Sequence, residues 1–381
     1  MTGLVRLAFA AFFFFYFAYI GLMSPYSSLY FASRGFGAIE IAALMSMFQI
    51  TRIMGPFAWG WLADIRKDRL GIMRLTSLAA CIIFAGIFFL EDYLALLIWM
   101  FLLNTVISSL MPLGEAATVH ALHHENGFDH RYGRLRLWGS IGFIAMVLGA
   151  GAWFEHFGIA SFPWFGMAAL IIMTLLTKAL REPAIEATEH AVVKFSHVLK
   201  NTHLQWFLLA NFWMIFAHAA FYVFYSLYLD QMGYSKGEIG LFWMLGVLAE
   251  VIFFYYQSHF FGRFNTKNIL LAAYLIAILR FVLMAYWPNL IALIIAQLMH
   301  AATFGANHSA SIKMLQTWFS GPLQARGQAL HTTVSYGIGG TVGGLCAGWV
   351  WEHWAPEHVF GVAALSSLIG FLCMRQVKEH Q

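Results

Sequence analysis

Apolar runs of about 20 residues, separated by short polar joints, recur along the whole chain. They lie near 7–30, 39–63, 70–90, 93–119, 134–154, 160–180, 204–229, 237–260, 268–287, 289–312, 327–351 and 357–375. A helix of that length matches the hydrocarbon thickness of a bilayer, and in hydrocarbon a helix satisfies all its backbone groups internally. The expected fold is an all-α membrane protein of about twelve transmembrane helices. Composition agrees: 61% of the 381 residues are hydrophobic and 10% are charged, against about 25% charged in soluble domains.

Arg6 ahead of the aromatic run 12–17 looks like an export signal. So many spans follow that the segment reads as an uncleaved first helix. The net charge of +4 is not gathered into a basic tract, so no nucleic-acid partner is expected. Cys81, Cys346 and Cys373 fall in apolar runs and read as small buried side chains. No metal site or cofactor is expected, and no nucleotide loop or nucleophile motif suggests an enzyme.

Charge placement tests the span count. With the N-terminus in the cytoplasm, 18 of the 22 Lys and Arg residues fall on the cytoplasmic side. Only Arg34 and Lys236 fall outside, and Arg52 and Arg280 lie within spans. This bias fits the positive-inside rule and puts both termini in the cytoplasm. The longest polar stretch, 181–203, separates an expected N-terminal six-helix bundle (1–180) from a C-terminal one (204–381). A repeat supports two related halves. Under a shift of 198, the distance from Arg52 to Glu250, Ser28-Leu29-Tyr30 falls on Ser226-Leu227-Tyr228. Gly35 falls on Gly233, and Glu40-Ile41 on Glu238-Ile239. In the eleventh span, Gly340, Gly344 and Gly348 share one face, with Gly339 and Gly343 beside it. Such spacing lets helices approach closely, for static packing or for sliding.

Ionisable groups inside spans must be paired or face water, so they mark function. Glu250, mid-span in Leu248-Ala249-Glu250-Val251-Ile252, is the first candidate for loading a proton. The bland reading is a static ion pair with Arg280 or Arg52. Glu115 and Arg136 form a second candidate pair, with Arg136 suited to a substrate carboxylate or vicinal hydroxyls. His218, His300, His308 and His331 are possible proton relays, or else hydrogen-bonded packing residues. Tyr222 and Trp138 are among the aromatics expected to line a cavity. Gly60-Trp61-Leu62-Ala63-Asp64-Ile65-Arg66-Lys67 places Asp64 and Arg66 at a helix end, as a cytoplasmic gating latch or simply a positive-inside loop.

That loop resembles the motif between helices two and three of the major facilitator superfamily, with Ile65 where a glycine is usual. Tyr132-Gly133-Arg134-Leu135-Arg136-Leu137-Trp138-Gly139-Ser140 is similar to the span-five entry of its lactose and phenylpropionate permease branch. Ala217-His218-Ala219-Ala220-Phe221-Tyr222, Gly246-Val247-Leu248-Ala249-Glu250-Val251 and Gln297-Leu298-Met299-His300 are similar to the phenylpropionate permeases. The resemblance implies two six-helix bundles, a central cavity, alternating access and proton symport. It puts sugar-binding positions on Glu115 and Arg136, and the family's span-nine arginine and span-ten histidine on Arg280 and His300. Gln297 and Thr303 stand where lactose permeases carry a lysine and the proton-carrying glutamate, which leaves Glu250 for the coupling role.

The expected protein is thus an inner-membrane carrier, acting as a monomer in lipid, that imports a small organic solute with protons. An aromatic acid such as 3-phenylpropionate is the implied substrate; a sugar or nucleoside, and drug/proton efflux, are the alternatives. Arg136, Glu115, Arg52, Tyr222 and Trp138 are expected at the substrate. Glu250, His300, His218 and Arg280 are expected to couple protons.

Overall fold

A computed structural model of the chain describes residues 3–122, 128–182, 195–319 and 323–378. Most of the linker 181–203, with Pro183, Glu186, Glu189 and Lys194, lies outside the described residues. Eleven helices are long and apolar enough to cross a membrane. In chain order they begin with α1 (Gly3–Ser33), α2 (Ala38–Arg66), α3 (Arg69–Phe88) and α4 (Tyr93–Leu122). They continue with α5 (Phe128–Phe157), α6 (Ile159–Thr177), α7 (Thr202–Gln231) and α8 (Lys236–Arg263). Next are α9 (Thr266–Tyr286) and α10 (Leu290–Trp318). The expected eleventh span is also helical, in three pieces forming α11: Gln324–His331, a π-helical Thr332–Gly339, and Gly340–His353. The last span is α12 (Glu357–Arg375). The all-α membrane fold read from hydropathy is therefore the observed one.

Packing groups the chain into two compact units. Unit 1 is Met1–Phe36, Met54–Ala187 and Leu229–Met244; unit 2 is Gly37–Ile53, Thr188–Tyr228 and Leu245–Gln381. The units follow the two sequence halves, except that the first half of α2 groups with unit 2 and the start of α8 with unit 1. Within unit 1, α1 packs on α5 and α6, and α3 on α4 and α6. Within unit 2, α9 packs on α10 and α12, repeating the α3 contacts. Large apolar side chains left exposed, such as Ile82, Phe89 and Ile291, suit hydrocarbon.

The repeat extends to backbone geometry. Gly35 and Gly233 both have φ +88, a left-handed conformation that glycine adopts without penalty. Each closes its helix with the same bonds: Phe36 N to Phe31 O (3.3 Å) and Tyr234 N to Leu229 O (3.1 Å). Glu40 then accepts from Gly37 N at 2.9 Å and Glu238 from Ser235 N at 2.8 Å, capping the starts of α2 and α8 alike.

Two approaches seat α11 within unit 2. A Cβ on Gly344 would lie 2.8 Å from Ser46 Oγ, and one on Gly348 2.4 Å from Ala42 Cβ, both in the first half of α2. A Cβ on Gly343 would lie 2.4 Å from Phe216 O of α7. The two glycine faces read from sequence thus meet two different helices. Glu352, at the far end of α11, accepts from Ala38 N at 3.0 Å.

Candidate functional site

Arg280 of α9 is wholly buried in unit 2. Its Nη1 donates to Thr303 Oγ1 at 3.0 Å and His300 Nδ1 at 3.1 Å, and reaches His218 Nε2 at 3.5 Å. A guanidinium has no acceptor, so these contacts fix both tautomers. His218 Nδ1–H donates to Met214 O at 2.9 Å, leaving Nε2 to accept, and Thr303 Oγ1 lies 3.2 Å from it. His300 accepts through Nδ1 and turns Nε2–H toward Glu250 Oε2, 3.9 Å away. Glu250, Arg280, His300 and His218 are thereby brought together by four helices.

The local sequence explains the arrangement. α10 widens into a π-helical turn at Ala301–Ala306, directly after His300, which swings Thr303 under the guanidinium. Wide turns of this kind favour functional sites. Gly305 in that turn makes room for Glu250: a Cβ there would lie 3.3 Å from Glu250 Cγ. Gly246, one turn before Glu250, brings α8 onto α10; its Cβ would lie 2.9 Å from Gln297 Oε1.

Aromatic rings wall the cluster. The Arg280 guanidinium lies 4.5 Å from the Phe221 centroid and 5.5 Å from Phe281. Phe221 stacks on His300 at 5.7 Å, and His300 on Phe304 at 5.3 Å. Tyr222 lies in the field of Glu250, Tyr336, Arg280 and Arg52. Arg52, in the part of α2 that belongs to unit 2, stands 4.4 Å over Phe48 and 5.6 Å over Tyr336. The Nε and Nη2 of Arg280 have no hydrogen-bond partner among the described residues. They form one edge of a buried cation, the geometry that takes a carboxylate with two parallel bonds.

Unit 1 holds the other expected pair. Arg136 Nε lies 3.6 Å from Glu115 Oε1, both about one-third exposed, and the guanidinium sits 4.1 Å over Phe17. Tyr132 bonds the same glutamate. Trp138 has no contact with this group among the described residues and is 46% exposed. Asp64 and Arg66 are exposed at the end of α2 and make no ion pair among the described residues. The residues that follow form the turn into α3: Lys67 has φ 51, and Asp68 caps α3 by accepting from Gly71 N at 2.7 Å.

Sequence reasoning missed Thr303 and Tyr336 as members of the unit 2 cluster, and Phe17 as the ring under Arg136. Their residue types carry no charge to stand out in an apolar span. The glycines at 305 and 246, each within five residues of a titratable group, were the available signal.

Residues 6–362 match the model of the MFS_1-like family. The chain belongs to this family of the major facilitator superfamily. A probable 3-phenylpropionic acid transporter of Escherichia coli K12 is 27% identical over 361 residues, covering 93% of each chain. A maltose permease of Geobacillus stearothermophilus is 24% identical, covering 97% of this chain and 93% of that one. A crystal structure of the nucleoside transporter NupG superposes with a TM-score of 0.88 at 17% identity, covering 98% of this chain and all of that one. The resemblance read from the loop and span motifs is thus shown. This MFS_1-like chain is a multi-pass membrane transporter and not an enzyme.

Proposed function

We propose that this transporter is a proton-coupled importer of a small aromatic monocarboxylate, of the 3-phenylpropionate class, working by alternating access as a monomer. The observation that carries the reading is the unpartnered Nε/Nη2 edge of Arg280, buried between aromatic rings and beside the Glu250–His300 pair. The substrate carboxylate takes that edge, and its ring lies against Phe221 and Tyr222. A bound carboxylate offsets the guanidinium charge, so Glu250 loses an attraction that held it ionised and takes up a proton. Loaded and empty carriers then differ in their internal charge pairing, as a coupled switch requires. Arg52 contributes positive field beside the cluster in unit 2. The name of the Escherichia coli relative supports the substrate class. The positive-inside bias supports a cytoplasmic membrane location with both termini inside.

One monoanion carried with one proton moves no net charge. Uptake of labelled 3-phenylpropionate into proteoliposomes should therefore follow an inward pH gradient and ignore a membrane potential of either sign. Glu250→Gln should abolish accumulation while sparing substrate exchange. Uptake that needs no pH gradient, or accumulation retained in Glu250→Gln, would refute the coupling. Saturable uptake of maltose or uridine in place of the acid would favour the sugar or nucleoside reading.

A further inference from the structure

Two titratable groups singled out in the sequence, His308 and His331, take no part in the mechanism above. They lie on α10 and α11, in the half of unit 2 toward the basic ends marked by Lys313 and Arg326. His308 is two turns beyond His300 on α10, about 12 Å along the axis. The face between them is continuous: His300 stacks on Phe304, and Phe304 on His308 at 6.3 Å. His308 Nδ1 lies 3.2 Å from the Tyr336 hydroxyl. Tyr336 sits in the π-helical piece of α11, in the field of Arg52 and Glu250, and its ring meets His331 at 6.0 Å. His331 is buried, stacked on Phe207, and its Nε2 has no partner among the described residues. Phe207 also meets Trp318 at 5.3 Å, and the buried Trp318 Nε1 has no partner among the described residues either. Asn307 Oδ1 and Ser335 Oγ, adjacent in sequence to His308 and Tyr336, are also without a partner among the described residues, which makes four such atoms in the cytoplasmic halves of these two spans.

Buried polar groups without protein partners are costly in an apolar interior, and ordered water is their usual complement. Static packing does not account for the set. Apolar residues would fill the same space without the desolvation cost. We infer that Tyr336, His308 and His331 form a hydrated proton-release route running from Glu250 to the cytoplasmic ends of α10 and α11. A proton leaving Glu250 passes to water held by Tyr336 and His308. It then passes to water at His331 and Trp318; each imidazole accepts on one nitrogen and donates from the other, returns to neutral in the opposite tautomer, and is reset by water-assisted tautomerisation before the next proton. The groups facing the route are Arg52 on α2, Tyr222 on α7, Glu250 on α8, His300 on α10 and Tyr336 on α11. The inference rests on the proton-coupled reading.

The test uses His308→Gln and His331→Gln in full-length protein in proteoliposomes. Net uptake under a pH gradient requires proton release on every cycle, whereas exchange of internal for external substrate does not. Net uptake should fall about tenfold or more, within the range that loss of one proton-transfer group produces. Exchange should stay within about twofold of wild type under the same principle, which also shows that each variant is folded. Imidazole trapped in the lumen should restore net uptake in the variants and leave wild type unchanged. Uptake and exchange falling in proportion, or neither falling, would overturn the route. Wild-type uptake indifferent to pH would instead sink the coupled reading itself, so the two failures are distinguishable.

Discussion

A guanidinium enclosed by protein costs several kcal/mol in desolvation unless charge and hydrogen bonds offset it. Arg280 makes its three polar contacts through one nitrogen, to two neutral imidazoles and a hydroxyl, and none of these supplies negative charge. Glu250 stands beside the cluster, 3.9 Å from His300 Nε2. The residue therefore stands ready for an anion rather than satisfied by one. Arg280→Lys keeps the charge and removes the fork, so KM for the aromatic acid should rise about tenfold or more, roughly 1.4 kcal/mol. An unchanged KM for transport would show that the carboxylate binds elsewhere. The charged members of this cluster were legible in the sequence because an ion in an apolar span must be paired or face water. Thr303 and Tyr336 were not, since hydroxyls bonding their own helix and rings facing lipid are common in any span.

Glycine spacing was the second legible signal, and it separates into close contacts and empty ones only in three dimensions. On α5, a Cβ at Gly142 would lie 2.0 Å from the Phe14 carbonyl oxygen of α1, while nothing lies within 4 Å of one at Gly149. The carbonyl is backbone and cannot swing aside, so Gly142→Ala must push two packed helices apart. It should lower the thermal unfolding midpoint in detergent, at a cost of about 1–3 kcal/mol. Gly149→Ala on the same helix should leave the midpoint level or raise it, by up to about 1 kcal/mol of helix propensity. Equal effects from the two would show that α1 and α5 are not in close contact. The π-helical turns at Ala301–Ala306 and Thr332–Gly339 were beyond hydropathy, which reads both segments as ordinary apolar helix. Their widening depends on side chains from other helices taking the space, a tertiary property with no local code.

At the scale of the molecule, the number of spans and the charge bias were open to reading, but the sharing of helices was not. α2 is one continuous helix, yet its residues change from unit 2 to unit 1 between Ile53 and Met54. Hydropathy has no term for which body a helix packs with. The sequence at the change is Gly55-Pro56. Proline has no N–H to give the carbonyl four residues back, so the carbonyl of Arg52 loses its helical partner and the helix is weakened at that point. α8 repeats the plan: it changes unit between Met244 and Leu245, next to Gly246. A carrier whose units move must bend or slide the helices that both units share, and conformational steps of this kind often limit turnover. Pro56→Ala restores the missing hydrogen bond and stiffens α2 where it changes body. Maximal exchange rate should fall several-fold, substrate KM should change little, and the unfolding midpoint should rise. A higher midpoint with undiminished exchange would mean that α2 does not flex at this proline during transport.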